Sequence, residues 1–189
     1  MEKILIVSSS SKSKGLLNNI AKESGDYDIS SVNNASECKK IIEEVQFDLI
    51  IINSPLSDDI GENIAMLINK NTESSIILLV KNDYKSIFYE ELENKGIFII
   101  EKPLNKLIFI NAINLSLIHR RKFKALIEEN KNLNSKISEI KLINRAKGTL
   151  MQYLRMSESE AHRYIEKQAM DLRITKIEIA KNILKMYET

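Results

Sequence analysis

The chain has 189 residues, 43% of them hydrophobic and 29% charged, with a formal net charge of +2. That is an ordinary composition for a soluble protein, with room for one large domain or two smaller ones. No apolar run approaches the roughly 18 residues needed to span a bilayer, and the short apolar stretch after Met1-Glu2-Lys3 gives way to Ser8, Ser9 and Ser10 rather than to a secretory signal. Cys38 is the single cysteine, so an internal disulfide is excluded and a reducing compartment, the cytoplasm, is expected.

The small net charge conceals a division. Residues 1–118 hold 12 Lys/Arg against 17 Asp/Glu, whereas residues 119–189 hold 16 against 9. Such asymmetry fits a C-terminal part that meets a polyanion; a solvated helical surface that is merely basic fits it as well.

Five short apolar runs occupy the first 118 residues: Lys3–Ser8, Tyr27–Val32, Asp48–Asn53, Ser75–Val80 and Gly96–Glu101. Most are rich in Ile and Val and the central ones are almost continuously apolar, as strands buried on both faces of a parallel sheet must be. Helix-length segments lie between them near 12–23, 35–45, 59–70 and 83–94. Strands alternating with helical crossovers predict a doubly wound α/β sheet.

This pattern resembles the flavodoxin-like receiver domain of bacterial response regulators over about residues 1–118. Lys102-Pro103 stands where that family carries its Lys-Pro pair, and D-L-I-I-I-N-S-P-L stands where its third strand delivers the phosphate-accepting aspartate. The accepting position reads Asn53. Ser8 and Ser9 replace the acidic pair that holds magnesium, and Val80 stands for the Ser/Thr at the end of strand four. Serine hydroxyls carry no charge for a hard cation, and an amide cannot form the acyl phosphate that a carboxylate forms. The resemblance therefore implies a pseudo-receiver that is not phosphorylated, with no metal and no cofactor. Asp58 and Asp59 fall in the next loop without the rest of a site. Lys102 is read as a surface lysine before a proline turn, the alternative being a residual contact to Asn53 or a small anion.

After Pro103 no proline remains, and no glycine occurs before Gly148, so one helix is expected to run to about Leu154, beginning with Leu107-Ile108-Phe109-Ile110 packed on the sheet. Phe123, Leu126, Asn130, Leu133, Ile137 and Ile140 fall on alternating a and d positions over about three heptads. Asn at an a position fixes register and favours two strands. A coiled-coil connector over 119–144 and a parallel homodimer are expected; one amphipathic helix inside a monomer is the alternative.

The last segment, 145–189, reads as a three-helix bundle. Ile143, Ala146, Leu150, Met151 and Leu154 continue one apolar face across Gly148, which close packing is expected to retain. Ser157-Glu158-Ser159-Glu160 and Thr175-Lys176-Ile177-Glu178 are capping boxes opening the next two helices. Their inward faces are expected to be Ala161, Ile165, Ala169 and Leu172, then Ile177, Ala180, Ile183 and Leu184. Met151 and Met170 are also assigned to the core.

R-A-K-G-T-L-M, S-E-S-E-A and Q-A-M-D-L-R, in that order, resemble the ANTAR domain, the RNA-binding module of transcription antiterminators, over a span beginning near 123. The whole chain resembles the AmiR/NasR-type regulators. The resemblance implies a dimer that binds paired stem-loops in mRNA leaders and so prevents a terminator hairpin. Ala146, Lys147 and Gly148, with Arg173, match the motif blocks. Arg145, Arg163, Lys167 and Lys176 join them on charge alone, and Tyr164 as a ring on which a loop base can stack. His162 is given no role. A protein or small-ligand regulator of the pseudo-receiver stays open, a membrane partner is not expected, and no nucleophile–base pair or phosphate loop suggests an enzyme. The rival readings are a DNA-binding response regulator and a protein-interaction adaptor.

Overall fold

The apolar runs pair side by side as parallel strands in the computed structural model, which describes residues 1–81 and 87–187. Strands β1 (Glu2–Val7), β2 (Tyr27–Val32), β3 (Leu49–Asn53), β4 (Ser75–Lys81) and β5 (Ile97–Lys102) lie in the order β2-β1-β3-β4-β5. Helices α1 (Ser11–Ser24), α2 (Ala35–Glu44), α3 (Glu62–Asn71) and α4 (Ile87–Asn94) make the crossovers. Of the helix expected over 83–94, residues 83–86 lie outside the described residues.

Period-two alternation divides the strands between two cores. Leu5, Val7, Ile50, Ile52, Ile76, Leu78 and Val80 face α2 and α3, whereas Ile4, Ile6, Leu49, Ile51, Ile77 and Leu79 face α1 and α5 (Lys106–Leu154). Ile50, Ile51 and Ile52 are fully buried, each contributing about 1.5–3 kcal/mol of burial. This is why β3 reads as an unbroken apolar run. Cys38 lies in the first core, where burial pushes its thiol up to about 12 and keeps it protonated.

Helix α3 starts three residues later than the 59–70 pattern suggested. Asp59 Oδ1 accepts from Gly61 N at 2.7 Å, and Gly61 has φ +98° with Ser54 Cβ only 2.8 Å from where a Cβ would stand. Residues 59–61 therefore turn rather than coil, and any side chain at 61 would meet both strain and collision.

Helix α5 runs unbroken for 49 residues. Asn105 Oδ1 accepts from Leu107 N and Ile108 N at its start, satisfying donors the first turn cannot. Phe109, Ile113 and Leu117, spaced by four, bury against the sheet. Leu107 and Ile108 do not pack as expected, at 68% and 56% exposed, because they lie on the outer side of that stripe. Two compact units result, one over Met1–Lys124 and one from Ala125 onward. No described helix is long and apolar enough to cross a membrane.

In the second unit the end of α5 packs with α6 (Glu158–Leu172) and α7 (Lys176–Tyr187) around Ala146, Leu150, Ala161, Ile165, Ala169, Ile179, Ala180, Ile183 and Leu184. Both capping boxes form: Ser157 Oγ accepts from Glu160 N while Ser157 N donates to Glu160 Oε2, and Thr175 and Glu178 repeat the exchange. Leu172 is corrected to exposed, since it closes α6 beyond its last packed turn, and Ile179 rather than half-buried Ile177 opens the inward stripe of α7.

Candidate nucleic-acid interface and receiver pocket

At the C-terminal edge of the sheet, the Asn53 amide donates to Ser8 Oγ at 2.8 Å, and Ser8 is fully buried. Ser9 Oγ donates to Asn33 O at 3.0 Å and accepts from Ser57 N at 2.8 Å. Where a carboxylate cluster would stand, neutral side chains bond one another and the loops. Asp58 is turned to α2, accepting from Ala35 N at 2.8 Å and Ser36 N at 3.0 Å; these bonds, Ala35's first, hold its carboxyl below the usual range. Asp59 serves the Gly61 turn.

Two residues of this pocket need correction. Val80 does not face it: it is buried in the core against α2 and α3. Asn53 is in register with Leu79, and Lys81 with Lys102. Alternation therefore puts Lys81, one residue on, at the end of strand four on the Asn53 face. Lys102 is not a surface lysine either. It is half-buried, its ammonium donates to the Ser54 carbonyl, and burial followed by the charge of Lys81 lowers its pKa.

In the C-terminal unit the structure sorts the proposed RNA-facing residues. Ala146 is fully buried between helices, so its small side chain serves packing and it is removed from the contact set. Gly148 is exposed and nothing lies within 4 Å of a Cβ built there; close packing within this chain is not what retains it. Met151 and Met170 are 42% and 78% exposed rather than core, because they stand off the Ala146–Leu150 and Ala161–Ile165–Ala169 stripes.

Lys147 of α5 and Lys176 of α7 are held by carboxylates of α6. Lys147 Nζ meets Glu158 Oε1 at 2.8 Å with its side chain only 14% exposed, and Lys176 Nζ meets Glu166 Oε1. Glu158, His162 and Glu166 form an i, i+4, i+8 row along α6, with His162 Nε2 3.3 Å from Glu166. Hydrogen bonds from Lys147 and Lys176, with the charges of those lysines and of His162, hold both carboxyls below their usual range. His162, given no role from sequence, thus sits between two anions.

A second row on α6 carries two further cations. Arg163, Lys167 and Met170 are exposed at i, i+4 and i+7, and Tyr164 beside them is 37% exposed. Neither Arg163 nor Lys167 forms an ion pair with any described residue. Arg145 is exposed near the end of α5. Arg173 ends α6 with φ 54° and ψ 40°, its N–H bonded back to Ala169 and Met170. Arg155, beyond the end of α5, has the same φ. Arginine in this left-handed region costs about 1–2 kcal/mol, which glycine avoids; only the backbone reveals it.

Along α5, Phe123, Leu126, Leu133, Ile137 and Ile140 are 47%, 62%, 52%, 49% and 58% exposed. Asn130 is also exposed and accepts from Asn134 Nδ2 at 2.6 Å.

The ANTAR domain model matches residues 131–184. The transcriptional regulatory protein PdtaR of Mycobacterium tuberculosis, from strains CDC 1551 / Oshkosh and ATCC 25618 / H37Rv, is 25% identical over 168 residues, spanning 89% of this chain and 82% of each relative. The signal receiver domain of an HD domain-containing protein from Pseudomonas fluorescens Pf-5 superposes with a TM-score of 0.59 at 20% identity, covering 66% of this chain and 92% of that one. A CheY-like response regulator receiver domain protein from Methanospirillum hungatei JF-1 gives 0.56 at 22%, covering 65% and 98%. The N-terminal unit has the receiver fold, and an ANTAR domain lies C-terminal to it.

Proposed function

We propose that this chain, a receiver-like domain joined to an ANTAR domain, is a non-enzymatic regulator that binds stem-loops in mRNA leaders as a homodimer and promotes transcription antitermination. The observation that carries this reading is the coincidence of the ANTAR match with a compact three-helix unit bearing an exposed cationic face on α6. Arg163 and Lys167, with Arg173 and Arg155 at helix ends, supply phosphate contacts and hence salt-sensitive affinity. The Tyr164 ring offers a stacking face to an unpaired loop base. Holding the stem-loop keeps its strands out of an overlapping terminator hairpin. Gly148, open to its surroundings, lets a sugar–phosphate backbone approach α5 closely.

The homodimer forms through the α5 stripe, and two modest RNA contacts then add through effective concentration. Control does not use phosphorylation: Asn53 bonds Ser8, and the nearby aspartates are committed to the α2 start and the Gly61 turn. A protein or small ligand acting on the receiver-like domain supplies the signal instead, in the cytoplasm.

Gel-shift titration of the full chain with tandem RNA hairpins and with duplex DNA of equal length tests this. Preference for the hairpins, with affinity falling as salt rises, is expected. Preference for the duplex would make the chain a DNA-binding regulator. Binding to neither would leave an adaptor whose basic face meets an acidic protein.

A further inference from the structure

The receiver pocket combines a loss of carboxylates with a gain of cations. Its strand order reverses between β1 and β3, and in open α/β sheets the crevice beyond the strand ends at that reversal is where ligands bind. Asn53 and Ser8 span this point, joined at 2.8 Å. Ser8 takes one amide hydrogen of Asn53 and the amide has a second. Lys81 and Lys102 stand in register at the ends of β4 and β5 on the same face. Lys102 reaches across the end of β4 to the Ser54 carbonyl, one residue beyond β3, and the charge of Lys81 is felt at its ammonium. Neither lysine forms an ion pair with a described residue. Glu101 is in register with Val80 and so belongs to the opposite face, while Asp58 and Asp59 bond backbone N–H groups elsewhere.

Two like charges thus stand on the face of the sheet that carries the Asn53 amide donor, with no anion among the described side chains of the pocket. In a phosphorylatable receiver the carboxylates repel a free anion until a metal intervenes; among the described residues of this pocket no carboxylate does so. We propose that this pocket binds a dianionic phosphate group reversibly and without a metal, held by Lys81 and Lys102 with the second Asn53 amide hydrogen. A bound phosphate monoester or free phosphate would then serve the domain as ligand in place of a covalent phosphoryl group.

The test titrates the full chain with inorganic phosphate and, in a second arm, phenyl phosphate, against sodium chloride at matched ionic strength. Side-chain amide NMR signals, Asn53 among them, and calorimetry give the readout. Saturable binding is expected, weakened at least tenfold by Lys81→Gln and by Asn53→Asp, with the tighter arm identifying a free or an esterified phosphate. Lys102→Gln removes a bond that holds the β5 end, so the exposed Lys81 carries the test. A response no larger than that to chloride overturns the proposal, and so does equal affinity in Lys81→Gln and Asn53→Asp. The outcome is independent of whether the α6 face binds RNA.

Discussion

The two units use their carboxylates in opposite ways. In the N-terminal unit Asp58 and Asp59 bond backbone N–H groups, and Lys81 and Lys102 have no counter-ion among the described residues. In the C-terminal unit Glu158 and Glu166 bond side-chain ammonium groups, so Lys147 and Lys176 are neutralised while Arg163 and Lys167 form no ion pair with a described residue. The acidic half therefore carries a local positive pocket, and part of the basic half's charge is internal. A count of Lys and Arg along a sequence measures neither; what an anion meets is the charge left after the protein's own pairs have formed.

The largest expected effect breaks the link between copies rather than either unit. Leu133 is 52% exposed in a single chain, so Leu133→Glu should leave each unit folded while placing like charges across the proposed dimer seam. Sedimentation should show a monomer, and affinity for tandem hairpins should fall about 100-fold, the scale that effective concentration adds. Affinity for one isolated hairpin should stay unchanged. An unaltered dimer would remove the α5 stripe as the seam.

Within the C-terminal unit the two rows of α6 should respond with opposite signs. Arg163→Ala and Lys167→Ala are each expected to weaken hairpin binding about tenfold, the order of one charge-assisted phosphate contact of 1.5 kcal/mol, and to reduce the salt slope. Glu158→Gln and Glu166→Gln should strengthen binding several-fold, because they release Lys147 and Lys176 to the RNA. Weakening by the glutamine variants, read by fluorescence anisotropy, would mean that the ion pairs shape the interface rather than mask it.

Much of this arrangement was legible beforehand, for identifiable reasons. The strands announced themselves because burial on both faces demands unbroken Ile, Leu and Val. The helix starts at 158 and 176 announced themselves because a capping box is a local exchange between residues three apart. Val80 was misplaced because a strand's face flips with every residue, so an error of one at the strand end moved the pocket position away from Lys81. Met170 was misplaced because it lies one residue beyond Ala169, about 100° around the helix. The partners of Lys147 and Lys176 are 11 and 10 residues away, across turns between helices, and no local pattern encodes such a pairing.

The caps give a smaller, stability-based contrast. Ser157→Ala should cost the C-terminal unit about 1 kcal/mol at neutral pH, seen as a lower melting temperature. Ser157, through its hydroxyl first and its N–H second, holds the Glu160 carboxyl below its ordinary 4.5. That contribution is fully present above the unfolded value and is lost as pH falls through the lower folded one. The difference between Ser157→Ala and the parent chain should therefore shrink below about pH 4, and a difference that grew in acid would contradict the reciprocal cap.

Arg173→Gly should have the smallest effect on stability while still affecting function. The parent arginine holds a left-handed conformation at φ 54°, which costs about 1–2 kcal/mol. Glycine removes that cost but loosens the unfolded chain by about 0.4–1 kcal/mol, so the melting temperature should move by only a few degrees in either direction. Hairpin affinity should nonetheless fall several-fold. That combination, a fold indifferent to the change and a weaker complex, is expected where a position best suited to glycine keeps an arginine for its charge. If affinity is unchanged as well, Arg173 is only the residue that happens to end α6, and the polyanion face contracts to Arg163, Lys167 and Arg155.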